Sequence, residues 1–446
     1  MGHLKGVKNC LGEFISWPRE SFLADLHIHS SYSRATSPQM RPATLSKVAR
    51  QKGIKVLGTG DFTHPGYLKE LERDLEMEPE TGLYVYREDP EGTRFILTAE
   101  VSNIFSQGGK GRRIHTVLFA PDIETAKRIQ ARLARIGNVS SDGRPIFGFP
   151  VKDLVRMVME VSDGRCFVVP AHIWTPWFSL FGAKSGFDSI EECFRDQTEH
   201  IYALETGLSS DPQMNWRLSA LDNYTLISNS DAHSPAKIAR EANVFSCALS
   251  YKAIIEAIKD PKKGFLGTIE FFPEEGKYHY DGHRNCGICF TPSQTKQHNG
   301  LCPVCGAPLT VGVLHRVEEL ADRPEGAVSP NALPCVHLIP LEEVIAEALG
   351  VRSITARVKK EYQRLISAGY TEMEILLWMD EKELSSLVTQ RVYEGIVRMR
   401  RGQVEIRPGH DGLYGRISLF PKGQEEKIEK RKQAEKKTRA IQQSLF

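Results

Sequence analysis

The sequence has no apolar run approaching the roughly 20 residues needed to span a bilayer. Its start also lacks the basic, apolar and small-residue sections of a secretory signal. Both absences predict a cytoplasmic protein with no membrane partner. A charge excess is missing too, since 58 Lys and Arg face 56 Asp and Glu and leave a net charge of +2. That balance is too small to argue for a polyanionic partner, so any such partner must be recognised locally. Cysteine is sparse, at nine in 446 residues, which argues against a disulfide-stapled secreted scaffold. Cys10, Cys166, Cys193, Cys247 and Cys335 are scattered and read as small buried apolar side chains. What remains is a soluble-type composition, 41% hydrophobic and 26% charged, in a chain long enough for two or three domains with a large core.

Through residue 265 one theme repeats, a short β-rich run ending in polar residues and then an amphipathic segment. Seven runs fit it: Phe22 to His29, Lys55 to Asp61, Arg94 to Glu100, Arg113 to Phe119, Arg165 to His172, His200 to Glu205 and Tyr224 to Asp231. Pro42 to Gln51, Tyr67 to Met77, Glu124 to Ile136, Lys152 to Val161 and Gln213 to Leu221 carry apolar residues at helical spacing. Alternating strands and helices predict a parallel sheet, which seven units close more readily into a barrel than leave open.

Chemistry in parallel α/β folds gathers at the C-terminal ends of strands, and this chain keeps its ligand-type residues there. Asp25, His27 and His29 alternate with Leu26 and Ile28, so a period of two points the polar side chains to one face. Asp61 closes the second run with His64 just beyond, Glu100 closes the third, and His115 lies in the fourth. His172 closes the fifth, and Asp231 with His233 the seventh. Mixed imidazole and carboxylate donors suit zinc, manganese or iron, and a carboxylate such as Glu100 can bridge two ions. Such a centre activates water and neutralises phosphate oxygens, so no Ser or Cys nucleophile is required.

Asp25-Leu-His27-Ile-His29 with Asp61, Glu100, His115, His172 and Asp231-Ala-His233 resembles the polymerase-and-histidinol-phosphatase (PHP) family of metal-dependent phosphoesterases. The resemblance implies a distorted seven-stranded (β/α) barrel holding two or three divalent metal ions, with zinc, manganese or magnesium as candidates and no organic cofactor. It assigns one ion to His27, His29, Glu100 and Asp231, and a second to Glu100, His115 and His172. Members with three ions carry histidines where Phe62 and Ala35 stand in this chain, which leaves Asp61, His64 and His233 to build a third site. Asp231, His233 and His64 are the candidate catalytic residues.

Beyond the barrel, Cys286-Gly-Ile-Cys289 and Cys302-Pro-Val-Cys305 form two close pairs with a short spacer. That spacing predicts one structural zinc in a closed four-cysteine shell, leaving His279, His283 and His298 as surface histidines. From Leu341 the pattern turns helical, with Pro340 and Thr371 near helix starts and Gly369 near a stop. Arg352, Arg357, Lys359, Lys360, Arg364, Arg391, Arg398, Arg400 and Arg401 give this part a basic character suited to phosphate contact. The expected division is a barrel over 1–265, a zinc module over 266–340, a helical and DNA-contacting module over 341–420, and a charged tail over 421–446.

The barrel, the cysteine pairs, Leu309-Thr-Val-Gly-Val-Leu-His-Arg-Val-Glu-Glu-Leu-Ala-Asp322 and Pro408-Gly-His-Asp-Gly-Leu-Tyr-Gly415 together resemble the endonuclease Q family over nearly the whole chain. That resemblance implies a nucleoid-associated DNA repair enzyme acting on lesion-containing duplexes. It would cut 5′ to uracil, hypoxanthine, xanthine and abasic sites, leaving a 3′-hydroxyl and a 5′-phosphate. Reading a deaminated base requires flipping it out, and Trp174, Trp177, Phe178 and Phe181 are placed to stack on it. The ending Gln442-Gln-Ser-Leu445-Phe446 resembles the motif that binds the bacterial sliding clamp, with Gln442, Leu445 and Phe446 as its contacts. The alternatives are a PHP-type phosphatase acting on a small phosphomonoester, and a non-catalytic DNA-binding scaffold tethered to the clamp. Missing metal ligands would mark the scaffold, and all of them are present.

Overall fold

The computed structural model describes residues 6–420, so the charged segment 421–440 and the clamp-type ending at Gln442, Leu445 and Phe446 lie outside the described residues. No helix among the described residues is long and apolar enough to cross a membrane.

The chain opens its main sheet with β1 (Phe22–Asp25), α1 (Pro42–Lys52), β2 (Ile54–Gly58) and α2 (Pro65–Asp74). Local chemistry sets α1: Pro42 occupies its first turn, Leu45 and Ala49 face the core, and Gly53 ends it at φ +87°. Next comes a long antiparallel hairpin, β3 (Asp89–Gln107) and β4 (Lys110–Ala120), with Glu100 opposite Val117 and Ser102 opposite His115. Its turn is Gly108-Gly109, both at positive φ. The strand-and-helix rhythm predicts a parallel pair here, but two residues between strands leave no room for a crossover helix.

The chain continues through α3 (Ile123–Ala134), β5 (Ile146–Phe147), α4 (Val151–Ser162), β6 (Phe167–Pro170), β7 (Ala203–Glu205), β8 (Thr225–Ile227), β9 (Ala242–Phe245), α5 (Tyr251–Lys259) and β10 (Phe265–Glu270). The main sheet runs β6-β4-β3-β2-β1-β9-β10 and ends on a late strand, β13 (Cys335–His337). Only the β1–β2, β2–β3 and β10–β13 neighbours along that path are parallel. The parallel pair β7–β8 stands apart, joined to the sheet by single bridges, Val168 to Ile201 on one side and Ile28 to Ala232 on the other. Side chains stitch the second join: the Leu26 N–H donates to Asn229 Oδ1 at 2.8 Å, and Asn243 Nδ2 donates to Asn229 Oδ1 at 2.9 Å. Backbone donors that a ladder would use are thereby satisfied. Ala24, Val56, Ile96, Val117, Val169, Ala203, Ile227, Phe245 and Phe265, one from each of these strands except β5 and β13, meet in one buried cluster with Ile254 and Ile258 of α5. The other face of the sheet packs in the larger core with α1 to α4.

The sheet therefore extends past residue 265, and the cysteine-rich part is an insertion between β10 and β13. It contains the hairpin β11 (Asp281–His283) and β12 (Ile288–Phe290), then α6 (Pro292–Gln297) and α7 (Val313–Leu320). Two of the scattered cysteines do more than fill space, because Cys10 is disulfide-bonded to Cys335 of β13, with their Cα atoms 5.4 Å apart.

The C-terminal module packs α8 (Leu341–Leu349), α9 (Ala356–Ser367), a π-helical turn at Glu374–Trp378, α10 (Glu381–Leu387) and α11 (Gln390–Arg400). Several of its basic residues serve the fold. Arg400 is buried and donates to the carbonyls of Ile375, Leu376 and Met379, capping the π-helical turn. Arg364, Arg398 and Arg401 pair with Glu361, Glu394 and Glu381, and Arg391 lies over the Phe420 ring. Arg352, Arg357, Lys359 and Lys360 stand exposed along the start of α9.

One buried ion pair ties this module to the sheet domain. Lys52 Nζ of α1 lies 3.0 Å from Glu372 Oε2, whose carboxylate also accepts from the Leu341 N–H and the Tyr362 hydroxyl. Removing one partner strands a buried charge. Lys52→Ala is expected to cost about 3–5 kcal/mol in chemical denaturation of the full chain, whereas an exposed neighbour such as Lys55→Ala should cost less than about 0.5 kcal/mol.

Candidate metal centre

Glu100 sits in the middle of β3 with essentially no solvent exposure, and its two oxygens face two groups of imidazoles. Oε1 lies 2.7 Å from His115 Nδ1 and 3.0 Å from His172 Nε2. Oε2 lies 3.2 Å from His29 Nε2 and 3.8 Å from His27 Nε2. Asp231 closes the second group, with Oδ1 3.1 Å from His29 Nε2 and 3.9 Å from His27 Nε2. Donor atoms of His27, His29 and Glu100, and of Glu100, His115 and His172, fall into compact sets suited to one ion each, sharing Glu100.

His27 Nε2, His29 Nε2 and Asp231 Oδ1 are buried without hydrogen-bond partners, although buried polar atoms are rarely left so. Their opposite ends are fixed. His27 Nδ1 lies 3.0 Å from Glu205 Oε1, and His29 Nδ1 lies 3.1 Å from Asp61 Oδ1. A carboxylate holding one ring nitrogen while the other faces a cluster of further donor atoms is the support that metal-bound imidazoles use. The residues present therefore fit divalent ions. Burial also keeps His115 uncharged, lowering it to about 4 despite the pull of Glu100. For Glu100, burial pushes the carboxyl up, but the Arg144 charge and hydrogen bonds from His115 and His172 outweigh it and hold it well below the usual carboxylate range.

The backbone is strained where it delivers these groups. Asp61, His172 and Asp231 have φ of +51°, +31° and +46°, each costing about 1–3 kcal/mol that the surrounding contacts must offset. Asp25 at the end of β1 accepts from the N–H groups of Ser230 and Ala239, so it anchors the loop that carries Asp231 and His233.

Not every residue expected at the centre has the same partners. Asp61 accepts from the Ser30 N–H at 2.7 Å and from the Ser30 and Ser33 hydroxyls, besides holding His29, so its oxygens are already engaged. His64 caps α2, its Nδ1 accepting from the Gly66 and Tyr67 N–H groups while Nε2 meets the Ser140 carbonyl. His233 does join His29 and Asp231 in a third compact set, its ring 4.4 Å from that of His29. Two groups went unnoticed in the sequence. Glu205 ends a run already read as a strand, and Arg144 lies in a loop with no motif around it; its guanidinium is 2.9 Å from Glu100 Oε2.

The aromatic loop after β6 divides. Trp174 is buried, packs its ring tilted against that of buried Phe181 and donates from Nε1 to Asn215 Oδ1 at 2.8 Å, so both belong to the core. Phe178 packs its ring 4.7 Å from that of His115, and Trp177 is 47% exposed with the Arg113 guanidinium 4.6 Å over its ring.

In the cysteine-rich insertion, three of the four cysteines expected in one shell lie together with a histidine. His283, Cys286, Cys302 and Cys305 bring their donor atoms together, and Cys289 is not among them. The reason is a matched pair of knuckles. His283-Arg-Asn-Cys286-Gly287 and Cys302-Pro-Val-Cys305-Gly306 share the order ligand, two residues, cysteine, glycine, with both glycines left-handed at φ +68° and +73°. Cys289 instead lies opposite Gly282 in the β11–β12 hairpin. His279, expected at the surface, is buried.

The MJ0043 C-terminal domain family matches residues 340–403. The uncharacterized protein YqxK of Bacillus subtilis is 31% identical over 411 residues, covering 88% of this chain and 98% of its own. The uncharacterized protein MJ0043 of Methanocaldococcus jannaschii is 33% identical over 277 residues, 59% of this chain; the match spans 34% of that relative's length. Among solved structures, the lesion-specific endonuclease PfuEndoQ from Pyrococcus furiosus superposes with a TM-score of 0.79 at 30% identity, covering 90% of this chain and 96% of its own. An Endonuclease Q complex with a 27-mer duplex substrate carrying an abasic lesion at the active site gives 0.77 at 30% identity, covering 90% and 97%.

Two outcomes follow from the geometry. Glu205→Gln is expected to weaken metal binding ~10–100-fold in a competition titration with a chromogenic chelator, because His27 loses its orienting carboxylate. In elemental analysis, His283→Ala should lower the bound metal by about one ion per chain, and Cys289→Ser should leave it unchanged.

Proposed function

The chain belongs to the endonuclease Q family, and on that premise we propose that it is a metal-dependent DNA repair endonuclease. The observation that carries this reading is the pair of imidazole groups sharing Glu100, with the buried His27 Nε2, His29 Nε2 and Asp231 Oδ1 converging there without hydrogen-bond partners. The surrounding fold is read as the distorted barrel of a PHP-type phosphoesterase, and its substrate as duplex DNA with an abasic site or a deaminated base, uracil, hypoxanthine or xanthine. Cleavage 5′ to the lesion leaves a 3′-hydroxyl and a 5′-phosphate.

Divalent ions held by His27, His29, Glu100 and Asp231, and by Glu100, His115 and His172, would supply activated water and charge neutralisation for the scissile phosphate. The protein's part is positional. Glu205 and Asp61 fix the tautomers of His27 and His29, and Glu100 sets the spacing of the two groups. His233 lies at the mouth beside Asp231, and burial and His29 lower its pKa. Uncharged at neutral pH, it is suited to accept a proton from the attacking water.

Lesion reading falls to the loop after β6. A deaminated base exposes its altered edge only when flipped from the stack. Trp177 is the exposed aromatic on that loop and Phe178 lies against His115, so these two, and not Trp174, are placed to stack on the flipped base or fill the gap it leaves. The exposed cations of α9 suit phosphate contact further along the duplex. His283, Cys286, Cys302 and Cys305 hold the structural zinc, and the C-terminal Gln442, Leu445 and Phe446 form a ligand for the bacterial sliding clamp.

The test offers labelled duplexes with uracil, hypoxanthine, an abasic site or no lesion, with and without chelator. Nicking of lesion duplexes alone, abolished by chelator, is expected, and Asp231→Asn should remove nicking while retaining duplex binding. Chelator-resistant cleavage, or equal cleavage of undamaged DNA, would overturn the proposal.

A further inference from the structure

The loop between α3 and β5 is built around one side chain. Gly143 packs so close to the network behind His29 that a Cβ there would collide with the Asp61 carboxylate and the Ser33 hydroxyl. Its N–H donates to the Tyr32 carbonyl, and its own carbonyl accepts from the Thr63 hydroxyl. On the other side Pro145 restricts Arg144 to extended backbone, and the Pro145 carbonyl accepts from the Ser102 N–H at 3.0 Å, two residues beyond Glu100. Arg144 is thus pinned on both flanks and aimed at Glu100, with NH1 2.9 Å from Oε2 and 30% of its side chain open to solvent.

That position makes no sense as a permanent partner of Glu100 once the centre is loaded. Glu100 and Asp231, with Asp61 behind His29 and Glu205 behind His27, make four carboxylates, whose charge two divalent ions already balance. A fixed guanidinium beside them adds further positive charge, which is tolerable only where an anion arrives. A guanidinium offers paired N–H donors that match two phosphate oxygens.

We propose that Arg144 binds the scissile phosphate, its guanidinium turning from Glu100 to the non-bridging oxygens of the substrate and stabilising the charge that develops on them. This deepens the phosphoester-cleavage reading and rests on it. Glu100 serves as a placeholder that keeps the guanidinium oriented before substrate enters.

The test uses full-length, metal-loaded Arg144→Ala and Arg144→Lys. Metal content by elemental analysis should match the wild type. Nicking of an abasic duplex should fall ~10²–10³-fold in kcat for Arg144→Ala, with duplex affinity nearly unchanged. Methylguanidinium added in solution should restore part of that loss in Arg144→Ala but not in Asp231→Asn. Affinity for inorganic phosphate, measured by calorimetry, should drop about 10- to 100-fold. Metal loss in step with activity, no rescue, or unchanged phosphate affinity would overturn the proposal. Should the wild type cut no DNA at all, the function reading fails alone, because the phosphate titration still decides the role of Arg144.

Discussion

A carboxylate without water must be met by cations or donors, and Glu100 is the buried charge on which this site turns. Four imidazoles and one guanidinium lie no more than 3.8 Å from its oxygens. Uncompensated burial of such a charge would be prohibitive. The compensation arrives from four different segments: the stretch just beyond β1 with His27 and His29, β4 with His115, the loop after β6 with His172, and the loop carrying Arg144. The fold is consequently organised so that these segments converge, at the expense of left-handed backbone at Asp61, His172 and Asp231.

The supporting modules reach the same place from outside. Arg316 of α7 donates to the carbonyls of Phe181 and Phe187 and pairs with Asp188, which braces the loop bearing Trp177 and Phe178. Arg217 pairs with Glu318, and Arg323 with Asp222, along the same boundary. A metal that folds the insertion through His283 and three cysteines would thereby hold the aromatic loop in position without touching substrate. The helical module is tied to α1 through Lys52 and Glu372, and to the segment just after His233 through Lys237 and Glu343.

Much of this was legible in the sequence because the ligand residues sit at strand ends and strand period is simple. His27, His29, Glu100, His115, His172 and Asp231 are the residues that the structure brings together around one carboxylate. The strand path was harder. Gln107-Gly-Gly-Lys110 carries a hairpin signal, but the strand-and-helix rhythm around it masked the antiparallel β3–β4 pair. β9, β10 and β13 were missed because short buried strands lack alternation, and β13 returns only after a long insertion. Cysteine spacing alone does not reveal that His283 joins Cys286, Cys302 and Cys305; the glycine that follows both Cys286 and Cys305 is the signal for it. Trp174 and Trp177 are three residues apart, and nothing in composition separates a core indole from a rim one. Arg144 was invisible because a charged loop residue gains meaning only when packing aims it.

The central claim is that one buried carboxylate is shared by two metal positions. Anomalous diffraction from crystals of the metal-loaded protein tests it most directly. Two peaks are predicted flanking Glu100, one enclosed by His27, His29 and Asp231 and the other by His115 and His172. A loaded crystal with no peak beside Glu100, its carboxylate held by Arg144 and the histidines alone, would contradict the account.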